Sequence, residues 1–322
     1  MGLSAQEHQL HFSPLTFMIK AVRKLTLLLF SVLSLLLIAA GQTAPPSTDI
    51  FVATLSSRDG RLSIGQPVNI TNRDGYDNQP MFMPDGESVL YTSIREGTLP
   101  DIYRYVFRDK STVQMTKTPE GEYSATPTPG GKFFSVIRVE ADQTQRLWKF
   151  PFVGGAPSLV LEEIKPVGYH AWLDENTLAL FVLGRPATLQ LADVRTGKAE
   201  TLESNIGRSL HKHPSHHSIT FVHKVSADES FIKELDPKTR KAEVLTKTLP
   251  GSEDFVWTPD GIILSAGGAK LFKFDPKKDR EWQEVADFSS AGLKGITRLA
   301  VSPKGDKLAL VAAIEAKTSP AK

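Results

Sequence analysis

The sequence predicts an all-β fold, a six-bladed β-propeller of four-stranded antiparallel blades closed by a composite blade from both termini. One turn pattern recurs at Met83-Pro84-Asp85-Gly86, Thr128-Pro129-Gly130-Gly131, Thr258-Pro259-Asp260-Gly261 and Ser302-Pro303-Lys304-Gly305. Degenerate copies stand at Leu173-Asp174-Glu175-Asn176 and Pro214-Ser215-His216-His217. The anchors fall at 84, 129, 173, 214, 259 and 303, in steps of 45, 44, 41, 45 and 44 residues. A period of about 40–45 residues is that of propeller blades. The runs between turns are short, β-branched or aromatic, and no amphipathic helix interrupts them.

In the first full unit, Gln79–Met83 is an extended run that ends at Pro84-Asp85-Gly86, where proline presets one turn angle and glycine accepts a positive one. Further strands follow at Val89–Ser93, Asp101–Val106 and near Ser111–Met115, with a polar loop at Arg95-Glu96-Gly97. The same order reads in Phe133–Ile137 then Arg146–Phe150, Thr177–Phe181 then Ala187–Leu191, and Ile262–Leu264 then Lys270–Phe274. Asp193-Val194-Arg195-Thr196-Gly197, Asp236-Pro237 and Asp275-Pro276 close third strands with hairpin-type turns to an outer fourth.

After Ser302-Pro303-Lys304-Gly305 the chain supplies only a second strand, Lys307–Val311, and then a polar tail. The missing pair is expected at the other terminus. Asp49–Leu55 resembles the third strand Asp101–Phe107, and Pro67–Thr71 resembles the fourth, Thr112–Thr116. Closing the ring this way removes open sheet edges.

The unit Gln79–Gly86, followed by Tyr91-Thr92-Ser93-Ile94-Arg95-Glu96-Gly97 and Asp101-Ile102-Tyr103, resembles the WD40-like repeat of TolB-type periplasmic propellers, over roughly residues 49–312. The resemblance implies a propeller that binds a partner in the cell envelope. TolB itself carries an α/β domain before its propeller, for which this chain is expected to leave no room, so TolB's assembly role is not implied.

Lys20, Arg23 and Lys24 precede an apolar run from Leu25 to Ala40, and Ala39-Ala40-Gly41 offers small residues for cleavage before Gln42. This pattern predicts a bacterial Sec-type signal peptide over 1–41, with Met18 a candidate true start. A linker over 42–48, the propeller over 49–312 and a tail over 313–322 complete the expected organisation, periplasmic or secreted and without a membrane span in the mature form. Without cysteine the chain has neither a disulfide nor a lipid-modified residue, so it relies on its core. The 38 basic and 36 acidic side chains become 35 and 35 once Lys20, Arg23, Lys24 and Glu7 are removed. A near-neutral mature chain argues against a nucleic-acid partner.

Five of the six mature histidines, His211, His213, His216, His217 and His223, lie within thirteen residues of the fourth blade. Aligning the blades on their turns sets His211 beside His170, with Met81, Thr126, Val256 and Ala300 at the same place elsewhere. Two residues earlier the ring reads Gln79, Ser124, Gly168, Ser209, Asp254 and Arg298. Strand alternation puts both sets on one side, with Phe82, Tyr169, Leu210, Phe255, Trp257 and Leu299 as packing between blades.

Gln79, His170, His211, Asp254 and Arg298 are therefore the candidate ligand-binding residues of a polar channel mouth. The alternatives are a water-lined channel, with His213, His216 and His217 in an exposed turn, or a divalent metal on His170 and His211. No cofactor is expected. Tyr103, Trp148, Phe272 and Trp282 read as blade core, and Arg95 as a brace. No Gly-x-Ser-x-Gly elbow or phosphate loop occurs. The function expected is a monomeric, non-catalytic propeller binding a protein, peptide or glycan. The alternative is a single-domain enzyme of metal-dependent lyase or lactonase type using the channel-mouth histidines.

Overall fold

A computed structural model describes residues 45–58 and 60–314; the expected signal peptide, the Met18 start and most of the polar tail lie outside them. The turns fold the chain into five four-stranded antiparallel blades and one composite blade. The inner strands are Asp77–Phe82, Gly121–Pro127, Val167–Trp172, Ile206–Lys212, Phe255–Trp257 and Leu293–Val301. The one helical element among the described residues is a single 3-10 turn at Ser289–Ala291. No helix among these residues is long and apolar enough to cross a membrane.

The composite blade forms as the sequence predicts, with one addition. Asp49–Arg58 pairs with Lys307–Ile314, Asp49 standing opposite Ala312 and Thr54 opposite Lys307. Val68–Asn69 takes the outer position against Phe51 and Val52. The other half of that outer edge is Arg61–Ile64, which turns back onto Leu55–Arg58 and was missed by the sequence reading. The Asp59-Gly60 dipeptide before it is the hairpin signal that points to it.

The two degenerate turns lack the glycine and keep the side-chain acceptor, which the first turn also has where Asp85 Oδ1 accepts from the Glu87 N–H at 2.8 Å. Where Gly86 and Gly261 accept φ of 73° and 87°, the degenerate copies rely on the side-chain acceptor. Asp174 Oδ1 accepts from the backbone N–H groups of Asn176 and Thr177 at 2.8 and 2.9 Å. His213 Nδ1 accepts from those of Ser215 and His216, both at 3.1 Å. A short polar side chain closing its own turn in this way replaces the glycine signal.

The apolar core is divided among six blade interfaces. Ile50, Phe82, Val89, Tyr91 and Val311 join the composite blade to the first. Phe51, Val256, Leu264 and Leu308 join it to the fifth. Equivalent clusters fill the remaining junctions, so each blade shares its core with both neighbours. Arg95 braces its own blade, donating to Ser93 Oγ and Tyr91 OH at 3.1 and 2.7 Å and lying over the Tyr103 ring.

Asp77 and Glu122 are both ionisable and 0% exposed. Glu122 is fully buried beside Arg138, which also pairs with Glu120. Thr118 Oγ1 donates to Glu122 Oε1 at 2.5 Å, and Oε2 has no partner. Burial outweighs the attraction of the shared arginine and pushes the carboxyl up to about 7. Because the folded value lies above the unfolded one, protonation of Glu122 favours the native state, and that contribution is lost as pH rises through 7. Denaturation of Glu122→Gln beside the wild type from pH 4.5 to 8 is expected to show the variant gaining relative stability with pH. The slope should approach about 1.4 kcal/mol per unit at most, and a pH-independent difference would show that Glu122 is ionised throughout.

Candidate functional site

The inner strands are bulged where they line the channel. In the first blade the pairing Asn78–Thr92 gives way to Met81–Leu90, one residue more on the inner strand. The second repeats this between Tyr123 and Thr126, and the third between Val167 and Tyr169. In the fourth, Ile206–His223 is followed by Leu210–Phe221, two residues more on the inner strand. The composite blade does likewise between Lys294 and Arg298. Gln79 and Ser124 sit in the first two bulges with φ of 54° each, a left-handed conformation costly for a residue with a Cβ. Bulges re-aim side chains, and such backbone concentrates at functional sites.

All five candidate residues, Gln79, His170, His211, Asp254 and Arg298, border one cavity of about 110 Å³. It adjoins a recess of about 270 Å³ where the inner strands begin and a funnel of about 1050 Å³ at the turns where they end. Gln79 is partly committed: its Oε1 accepts from Thr92 Oγ1 and from the Ser124 N–H, both at 2.9 Å, tying the first blade to the second.

The histidines form the deeper layer. His170 is buried, with Nε2 2.7 Å from Ser135 Oγ, which also accepts from Trp172 Nε1 at 2.9 Å. His170 Nδ1 is buried without a partner. His211 is half-buried, with Nε2 3.1 Å from Ser209 Oγ and its ring edge-on to Phe255. Burial pushes their imidazoles down to about 3 and about 4, so both are neutral at pH 7. The Ser135–His170 contact has the form of a nucleophile–base pair, but Ser135 is 0% exposed and its hydroxyl is shared with Trp172, so no substrate reaches it.

Nearer the start of the inner strands, each blade contributes one polar residue: Tyr76, Tyr123, Tyr169, Arg208, Asp254 and Arg298. Arg298 pairs with Asp254 at 3.3 Å and donates to Tyr169 OH at 2.8 Å from the opposite side of the ring. Tyr169 packs between the third and fourth blades as expected, edge-on to Phe181, and its hydroxyl also spans the bore; Phe82, Leu210, Phe255, Trp257 and Leu299 are buried as expected. Burial pushes Tyr76 up to about 12 despite the fields of Arg298 and Arg208, and also raises Tyr123. Burial likewise raises the Asp254 carboxyl, opposed by Arg298 and Arg208. Arg208 and Tyr76 escaped the sequence reading because the bulges shift them out of the simple alignment.

The only three metal-ligating side chains that converge among the described residues are His213, His216 and Glu234, outside the channel. His213, expected in an exposed turn, is buried against Trp257. It is a poor ligand. Its Nδ1 already accepts two backbone N–H groups, which puts the proton of the neutral ring on Nε2. Its ring stacks on His216 at 4.0 Å with planes 6° apart, so the two in-plane lone pairs do not meet at one ion. His170 and His211 acquire no third ligand of this kind among the described residues.

No family model matches the chain, and no curated protein does. Among solved structures, a protein assigned as TolB from Agrobacterium tumefaciens superposes with a TM-score of 0.65 at 16% identity, over 83% of this chain and 99% of that one. The fold is the TolB-type six-bladed propeller. TolB from Acinetobacter baumannii gives 0.55 at 13% identity, over 82% of this chain and 64% of its own. The oligogalacturonate lyase in complex with manganese gives 0.53 at 13% identity, over 78% and 80%. At these identities the TolB-type likeness is one of architecture, which hosts binding proteins and enzymes alike.

Proposed function

We propose that this protein is an exported binding propeller of the bacterial periplasm or cell exterior, acting as a monomer. It receives a segment of an envelope partner, a protein, peptide or glycan, at the channel mouth. The observation that carries this reading is the convergence of one polar side chain from every blade on a single narrow cavity that opens toward a broad funnel. A concave site with a few converging polar groups is the usual form of a binding site. The likeness to TolB structures supports a protein partner in particular.

A photo-cross-linking residue placed at Lys212, an exposed position lining the funnel, is expected to give a discrete adduct in the native envelope. The same residue at Lys198, on an exposed outer strand, is expected to give none. Adducts only from Lys198 would move the binding surface to the blade edges.

The orphaned Nδ1 of His170 favours one second reading, a metal-dependent enzyme working from His170 and His211. Elemental mass spectrometry of the untagged protein is expected to find no stoichiometric transition metal, and no difference in a His170→Ala, His211→Ala variant. Metal present in the wild type and lost in the variant would favour the enzymatic reading and direct a substrate search to the channel.

A further inference from the structure

We propose that the channel mouth recognises a carboxylate borne by an acidic peptide segment, and that Arg208 is its principal contact. This rests on the binding reading above and names the chemistry that the site selects.

The argument begins with charge. Two guanidinium groups, Arg208 and Arg298, border the cavity with one carboxylate, Asp254. Asp254 pairs with Arg298 at 3.3 Å. Glu253, the next acid along the strand, is taken by Lys224 outside the bore. The other ionisable groups facing the cavity are His170, His211 and Tyr169, while Tyr76 stands in the field of both arginines. The imidazoles are neutral at pH 7, and Tyr76 is a neutral phenol. Two cations face one anion, which Arg298 contacts directly; Arg208 lies in the field of Asp254 but makes no ion pair among the described residues.

The hydrogen bonds of Arg208 point the same way. Its Nη2 donates to the Thr297 carbonyl at a long 3.3 Å, and its Nε is buried with no acceptor. A buried donor on a charged group costs free energy until it is satisfied. Arg208 as a whole is half-buried at the cavity wall, and a carboxylate is the anion whose two oxygens best match the paired N–H groups of a guanidinium.

A peptide is the occupant on the reading above, and the funnel of about 1050 Å³ beyond the bore leaves room for the rest of the segment.

The test is calorimetric titration of the purified protein with acetyl-(Gly-Glu)4-amide, acetyl-(Gly-Gln)4-amide and hexagalacturonate at fixed salt, beside Arg208→Gln and a Lys241→Gln control on the outer surface. The glutamate peptide is expected to bind at least tenfold more tightly than the glutamine peptide. Arg208→Gln should remove that difference while leaving the thermal midpoint near wild type, and Lys241→Gln should leave it intact. The Arg208 Nε–H resonance is expected to shift on titration, which a non-specific charge effect leaves unmoved. Equal binding of the two peptides overturns the proposal, as does an unaffected Arg208→Gln. Binding of hexagalacturonate alone overturns it in favour of an acidic glycan. If the Lys212 adduct persists in Arg208→Gln while the peptides fail to discriminate, carboxylate recognition is wrong and the binding propeller stands. If the wild type itself gives no Lys212 adduct and binds neither peptide, the binding reading falls with it.

Discussion

Deleting residues 46–70 is expected to abolish folding of the whole protein, although the deletion leaves five blades with every strand. Asp49–Arg58 supplies Ile50 and Phe51 to the clusters on both sides of the composite blade, and without it Lys307–Ile314 becomes an open edge. A closed ring has no terminal blade that tolerates exposure, and the loss exceeds the roughly 5–15 kcal/mol by which domains are stable. The milder Ile50→Asp places a charge at a site with 0% exposure and should cost more than about 4 kcal/mol.

Tryptophan fluorescence provides the readout. The four tryptophans all lie outside the composite blade; Trp257 and Trp282 stand in the adjoining fifth blade, while Trp148 and Trp172, in the second and third, report on distant ones. A circular permutant serves as the control. Asp49 stands opposite Ala312, so residue 314 can be joined to residue 46 by a short linker, with new termini opened between Lys238 and Thr239. The permutant is expected to fold, because it retains every strand pair and changes only the chain order. A deletion variant that still unfolds cooperatively would show that the velcro-like pairing is dispensable.

The second large effect is expected at Asp254. Replacing it by leucine leaves Arg298 and Arg208 without a compensating charge in the bore and should destabilise the fold by about 3–5 kcal/mol. Adding Arg298→Met should recover much of this, since a buried ion pair costs far less to replace whole than to halve. The double-mutant cycle by denaturant titration yields the coupling directly. A coupling near zero would mean that the two side chains are solvated in the folded protein and that the bore is less dry than its packing indicates.

The blades and their closure were legible because turn chemistry and hydrophobic alternation are local. Pro84-Asp85-Gly86 reads as a turn from its own backbone preferences, and the resemblance of Asp49–Leu55 to Asp101–Phe107 is a property of two strings. Gln79, His170, His211, Asp254 and Arg298 were found by carrying that period around the ring, and they do border one cavity. The period fails where a bulge adds a residue. Tyr169 packs at the blade interface as expected, but the reach of its hydroxyl to Arg298 across the bore is not legible from the period. Tyr76 and Arg208 were overlooked where the bulges shift the alignment. His213 was read as exposed because nothing in the string reveals that its Nδ1 closes a turn or that Trp257 covers its ring.

The sequence by itself therefore determined the fold class, the number of blades, the composite closure and the candidate layer of the channel, all of which follow from repeated short-range preferences. Only the tertiary structure decided which side chains reach the axis, which acceptors are already taken and which arginine of the bore makes no ion pair among the described residues. Those outcomes depend on one-residue bulges and on contacts between residues as far apart as Tyr169 and Arg298, and no local preference encodes them.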